Sequence, residues 1–202
     1  MSHDEVKGIA REVKTQVFIL GAFVGLMWIL EMIDLPLGGG GRWCGGLNQF
    51  GIFPRQIAGL RGILFAPFLH GGFAHLIANT VPFATLGWLV MLRRTADFWV
   101  VTAIAIGVGG LGTWLLGTPG CHIGASGVIF GYLGYLISRG YFERRIGSVL
   151  FSLVVLLLYG GLLWGVLPLR IGISWEGHLF GFIGGIIAAK LLAEPRRSYK
   201  GL

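Results

Sequence analysis

The sequence predicts an all-α membrane protein, a single bundle of six transmembrane helices over residues 1–202. Three observations predict it. Charged residues make up 12% of the chain against about 25% in soluble domains, while 54% is hydrophobic and the mean hydropathy is +0.77. Residues 72–92, 98–138 and 146–169 contain no Asp, Glu, Lys or Arg, and uncharged apolar runs of that length are read as bilayer spans. Glycine, 36 of 202 residues, shows no three-residue period and lies largely inside those runs, where it favours close helix–helix packing over flexible linkage. Disordered, collagen-like and soluble globular classes are excluded.

A span needs about 20 residues at 1.5 Å rise each. Residues 1–16 mix Lys7, Arg11 and Lys14 with Asp4, Glu5 and Glu12, too acidic for a transit peptide. No small-residue cleavage pattern follows the first apolar stretch, so Val17–Leu37 is expected as a retained first span, with Glu31 and Asp34 near its far end. The connection over 38–70 mixes Trp43, Phe50, Phe53, Phe65 and Phe68 with Arg42, Arg55 and Arg61, which suits an interfacial, partly embedded structure. The second span is about Gly72–Leu92. The run 98–138 is too long for one span and breaks at Gly117-Thr118-Pro119-Gly120, giving a third over 98–117 and a fourth over about 123–139. The fifth is about Gly147–Leu167, ended by Pro168, and the sixth about Gly177–Leu192, where Lys190 reaches its amine to the interface.

Loop cations set the expected orientation. With the N-terminus cytoplasmic, the inner connections hold Lys7, Arg11, Lys14, Arg93, Arg94, Arg139, Arg144, Arg145, Lys190, Arg196, Arg197 and Lys200. The outer side then holds only Arg42, Arg55, Arg61 and Arg170. This bias puts the 1–16 segment and the 193–202 tail in the cytoplasm. Because the cations lie in connections, the net charge of +7 is not a nucleic-acid signal; the bilayer itself is the expected partner.

Polar side chains inside spans are costly and by default functional. Four stand out: His75 and Asn79 in the second span, Ser126 opening the fourth and His178 opening the sixth. These three helices all run from outside to inside, so the four residues share a depth in the outer leaflet. His75 and Asn79, four apart, point from one helix face. A serine, two histidines and an amide at one level supply a nucleophile, a base and oxyanion donors for acyl transfer. Gly177, Gly181, Gly185 and Ala189 in the sixth span, with Gly127, Gly131 and Gly134 in the fourth, would let those helices touch, with Ser126 and His178 at the outer end of the seam. Each residue alone has a plainer reading: a helix cap for Ser126, interhelical glue for Asn79, structural groups for the histidines. Agreement in depth across three helices favours the joint one.

At these residues the sequence resembles the rhomboid intramembrane serine proteases. Gly124-Ala125-Ser126-Gly127 resembles their Gly-x-Ser-Gly motif, and His70 through Asn79 is similar to their His-x4-His-x3-Asn pattern. Gly177-His178-Leu179-Phe180-Gly181 is similar to their catalytic histidine and glycine stripe, with Gly177 where alanine is common. The resemblance runs from about Arg61 to Lys190 and implies a six-helix rhomboid-like bundle. It implies Ser126 as nucleophile and His178 as base, with His75, Asn79 and the backbone N–H groups of Ser126 and Ala125 holding the oxyanion. The N–H groups opening the fourth helix are unpaired within it and carry partial positive charge, which suits that role. His70 resembles a loop anchor. Arg61 roughly matches a Trp-Arg element in which Leu60 replaces tryptophan. Phe130 stands where a tyrosine is frequent, leaving open what fixes the His178 tautomer. Glu176, about 200° around the helix from His178, is a poor third member, so a dyad without a carboxylate is expected.

The expected reaction is endoproteolysis of transmembrane protein substrates near the outer face, with water entering from outside and no cofactor or metal. The outer half of the fifth span (Gly160, Gly161, Trp164) and the connection Pro168–Trp175 are candidates for gate and cap. Cys44 and Cys121 both map outside and could pair in an oxidising compartment; two free thiols is the favoured reading. A zinc protease would need His-Glu-x-x-His, which does not occur, and the carboxylates of Asp34 and Asp97 lie near opposite span ends. The alternative is a non-catalytic rhomboid-like protein that binds transmembrane helices; a small transporter is the third reading. The lack of a transit signal and of appended domains favours a bacterial plasma membrane. Substrate, pathway and oligomeric state are left open.

Overall fold

The computed structural model describes residues 2–38, 44–169 and 172–193. Trp43, the cations Arg42, Arg170, Arg196, Arg197 and Lys200, and most of the 193–202 tail lie outside the described residues.

The described chain is all-helical, with no strand. Seven α-helices replace the expected six: α1 His3–Asp34, α2 Gly62–Phe65, α3 Phe73–Met91, α4 Thr95–Leu116, α5 Ser126–Glu143, α6 Ile146–Tyr159 and α7 Trp175–Leu192. The additional one, α2, is a single turn inside the first long connection. Among the described residues four helical stretches are long and apolar enough to cross a membrane: α1, α3, α4 and α6 with its continuation to Val166. The helices in the places of the fourth and sixth expected spans, α5 and α7, have 18 residues each. They carry Arg139 and Glu143, and Glu176, His178 and Lys190, so their composition is less apolar.

The boundaries have local causes. Helix α1 starts well before Val17 because Ser2 and Glu5 form a reciprocal capping box, and its charged first turns stay exposed. At its other end Glu31 and Asp34 are buried, and Asp34 Oδ1 accepts the Leu47 N–H, tying the span to the connection. That connection folds back on itself in short 3₁₀ turns, Gly46–Phe50, Ile57–Arg61 and Ala66–Phe68, around α2. It leaves Ile57, Leu64 and Phe65 exposed, while Arg61 sits 4.5 Å over the Phe50 ring. The α-helix of the fifth span ends at Tyr159, and Gly160–Val166 continues as a 3₁₀ helix. Helix α5 starts at Ser126, later than the sequence suggested, because His122 forms an isolated antiparallel bridge with Ile52.

Helix α5 is the axis of the bundle, packed by α3, α4, α6 and α7, with α1 outside against α3. Phe83, Phe98 and Tyr132 fill its core, and the buried Tyr132 hydroxyl is satisfied by Thr102 Oγ1 at 2.8 Å. At the opposite end from Ser126, charges interlock. Asp97 accepts from Arg94 at 3.1 Å and Tyr135 at 3.2 Å, and Glu143 pairs with Arg139 at 2.8 Å and Arg93 at 3.6 Å. Nearby, Ser152 of α6 bonds the Leu136 carbonyl (2.7 Å) and the Gly140 N–H (3.0 Å) of α5.

Candidate active site

The glycines bring α5 and α7 into backbone contact. A methyl group on Gly181 would be driven into the Gly127 carbonyl, one on Gly185 into the Gly131 carbonyl, and one on Gly134 into the Phe182 carbonyl. Interaxial approach this close is available only to small residues. At the end of that seam where both helices begin, His178 Nε2 lies 2.8 Å from Ser126 Oγ.

The other imidazole nitrogen decides the proton's place. His178 Nδ1 is 2.9 Å from the carbonyl oxygen of Gly165. A carbonyl oxygen only accepts, so the neutral ring carries its proton on Nδ1 and turns a bare Nε2 toward the serine. Phe130 lies parallel to the ring, centroids 4.2 Å apart at 8°. Stacking sets the ring plane; the carbonyl sets the tautomer. Glu176 takes no part, because its Oε1 accepts the Thr118 N–H at 2.7 Å.

Facing the serine from α3 are His75 and Asn79. Gly124, at φ +112°, lets the chain turn into α5 so tightly that a methyl group there would lie 2.7 Å from His75 Nε2 and 3.3 Å from Asn79 Nδ2. Both side-chain nitrogens thus converge on the backbone just before Ala125 and Ser126. His75 Nδ1 accepts the Gly71 N–H at 3.3 Å, which leaves the ring proton on Nε2, the nitrogen aimed at this spot. Asn79 Nδ2 is buried with no hydrogen-bond partner among the described residues. An orphaned amide donor is costly unless something negative arrives to take it. Ala125 is fully buried and caps α5, whose first N–H groups have no partner within the helix.

Two openings reach these groups. One, of about 1310 Å³ with its open mouth, is lined by His75, Asn79, Ser126 and His178 together with Cys44, Cys121 and His122. The other, about 970 Å³, lies sideways between Ala78 and Pro82 of α3 and Leu162, Trp164 and Gly165 of the 3₁₀ segment. Both thiols are free; Cys44 is exposed and Cys121 donates to the Asn48 carbonyl at 3.1 Å. Burial, then the neighbouring Cys44, pushes the Cys121 thiol up from its ordinary range.

Sequence reasoning passed over three groups. His122, a histidine inside an uncharged run, was readable; it accepts from Ser174 Oγ through Nδ1 at 2.6 Å and donates to the Thr118 carbonyl through Nε2 at 2.9 Å. With the Glu176–Thr118 bond it clamps the 117–122 loop to the start of α7. The Glu176 role and the Gly165 carbonyl had no sequence signal. His70 is buried, its carbonyl accepting from Asn48 Nδ2 at 2.9 Å and its ring 5.1 Å from that of His75. Burial, and secondarily His75, holds its pKa down at about 3.

A family model described as "Rhomboid domain" matches residues 58–195. The chain is 43% identical over 189 residues to an uncharacterized protein of Mycobacterium tuberculosis, covering 89% of this chain and 76% of that one. A Mycobacterium leprae relative, also uncharacterized, is 41% identical over the same length, 89% and 72% of the two chains. The rhomboid protease GluP of Bacillus subtilis is 32% identical over 133 residues, 63% of this chain and 25% of its own.

Proposed function

The chain belongs to the rhomboid family and is an integral membrane protein, and from that premise we propose that it is an intramembrane serine endopeptidase. One observation carries the reading: Ser126 Oγ and His178 Nε2, from different helices, stand at hydrogen-bond distance beside a buried amide donor that has no partner among the described residues. Ser126 attacks the scissile carbonyl of a transmembrane substrate while His178 takes its proton through Nε2. The oxyanion is held by His75 Nε2, Asn79 Nδ2 and the N–H groups of Ala125 and Ser126. The leaving amine takes that proton from His178; water from the wider opening, deprotonated by His178, then attacks the acyl-enzyme, and the proton returns to Ser126 Oγ as the acid product leaves. The substrate helix reaches the dyad through the sideways opening, with Gly160–Val166 as its movable wall and the described part of Pro168–Trp175 as its cap.

In this reading the enzyme is a multi-pass protein of a bacterial plasma membrane with both termini cytoplasmic, and its partners are transmembrane substrates and the bilayer. A fluorophosphonate probe tests it. Wild type is expected to label, and Ser126→Ala and His178→Ala to lose labelling completely. Asn79→Ala should retain the fold and label about 10²–10³-fold more slowly, the usual cost of one oxyanion donor. A folded wild type that stays unlabelled, yet retains transmembrane helices in pull-downs, would replace the protease with a non-cutting helix binder.

A further inference from the structure

A serine–histidine contact at 2.8 Å does not by itself say which way the hydrogen bond runs, because a hydroxyl both donates and accepts. A histidine with its proton on Nε2 would make the same contact and be useless as a base. The second contact of the ring removes the ambiguity, since the Gly165 oxygen can only accept from Nδ1. Among the described residues no side chain duplicates that role. Glu176 is turned to Thr118, and Phe130 offers a ring face rather than an acceptor.

The acceptor belongs to an unusual place. Gly165 lies in the 3₁₀ continuation of α6, which lines the sideways opening and leaves Trp164 exposed. Only a glycine lets this backbone come so near: a methyl group at 165 would lie 2.8 Å from Phe130 Cζ and 3.2 Å from His178 Nδ1. The nucleophile and base therefore sit on the tight α5–α7 seam, while the group that sets the base's tautomer sits on a separate element at the site's edge.

We infer that the Gly165 carbonyl is the positioning group of the His178 base, so that the dyad is competent only while the Gly160–Val166 segment stands against it. The inference rests on the protease reading above. With the segment displaced, the ring loses its bias, and in water an imidazole side chain favours the proton on Nε2. That tautomer turns an N–H toward Ser126 and cannot take its proton. Displacement of the wall thus opens the path and disarms the base together, and the return of Gly165 arms it.

The test is ¹⁵N NMR of the full chain, labelled at histidine and held in lipid nanodiscs, with the His178 signals identified by their loss in His178→Ala. The neutral wild-type ring is expected to show a protonated Nδ1 and a bare Nε2; a protonated Nε2 overturns the inference without any variant. In Gly165→Ala the Nδ1–H signature should give way to a mixture of tautomers. Its maximal fluorophosphonate labelling rate should fall roughly ten- to a hundredfold, less than the ~10⁴-fold known for a fully wrong tautomer, with the half-saturating probe concentration unchanged. Gly147→Ala, on α6 with open space around it, should alter neither reading. Wild-type tautomer and rate in Gly165→Ala would sink the inference. A protonated Nδ1 in a wild type that never labels would keep the positioning and end the protease reading; a labelled wild type with Nε2–H would do the reverse.

Discussion

The α5–α7 seam and the end of α6 with its 3₁₀ continuation meet at the same imidazole but are built on opposite terms. In the seam, backbone lies against backbone, and Gly181 and Gly185 leave no room for a methyl group. On α6, Leu157 and Leu158 are 85% and 72% exposed, and a methyl group on Gly161 of the continuation would meet nothing within 4 Å. Close packing transmits displacement rather than absorbing it, so the seam holds Ser126 and His178 at a fixed separation. The end of α6 and its continuation pack on one flank only, through Tyr159, Leu162 and Leu163, and leave Trp164 exposed on the other. In the proposed protease, precision would then belong to the seam and access to the end of α6.

The largest effect should come from the seam. A displacement of about 1 Å at reacting groups costs on the order of 10²-fold in rate. Gly181→Val is therefore expected to slow fluorophosphonate labelling by that factor or more and to lower the melting temperature in detergent. Near-normal labelling in that variant would break the comparison, because the seam would then not be what sets the dyad distance.

A mid-sized effect belongs to the connection beneath the site. Burial keeps His70 neutral in the folded state, with its pKa at about 3 against an ordinary 6.5. Below pH 6.5 the unfolded chain binds a proton there that the folded chain does not, so stability falls as pH drops from 6.5 toward 3, by up to about 1.4 kcal/mol per pH unit. His70→Phe should flatten that part of the melting-temperature profile. An unchanged slope in the variant would assign the acid sensitivity elsewhere. The smallest effect is expected on α6: Leu157→Ala should shift stability by no more than about 0.5 kcal/mol in the bilayer. A larger loss would mean that its exposed face has a partner.

The sequence was legible where chemistry and environment disagree. Ser126, His178, His75 and Asn79 stand out as polar groups among apolar ones, and glycine every four residues announced a close seam. Spans over α3 and α4 were readable from uncharged runs cut at Gly117-Thr118-Pro119-Gly120. Three features were not. The start of α1 lies among charges that a span count discards, although Ser2 and Glu5 cap it. The change of winding at Gly160 leaves the apolar pattern untouched. The turn α2, which makes seven helices among the described residues, is held by contacts between segments far along the chain, Ile63 against Gly110 of α4. Within the site, side chains could be read and the main chain could not. Every residue has a carbonyl, and nothing in the letter at 165 says where its oxygen points.

The bonds of Ser152 to Leu136 and Gly140 have a mechanical consequence. They pin the middle of α6 to α5 and make the half beyond Ser152 the arm of a lever. Between Ser152 and Gly160 the helix rises roughly 12 Å. A tilt of about 10° over that arm carries its tip ~2 Å sideways with every turn of the helix intact. Lifting an oxygen off a ring nitrogen takes no more than that, so the stroke can be made by leaning, without melting.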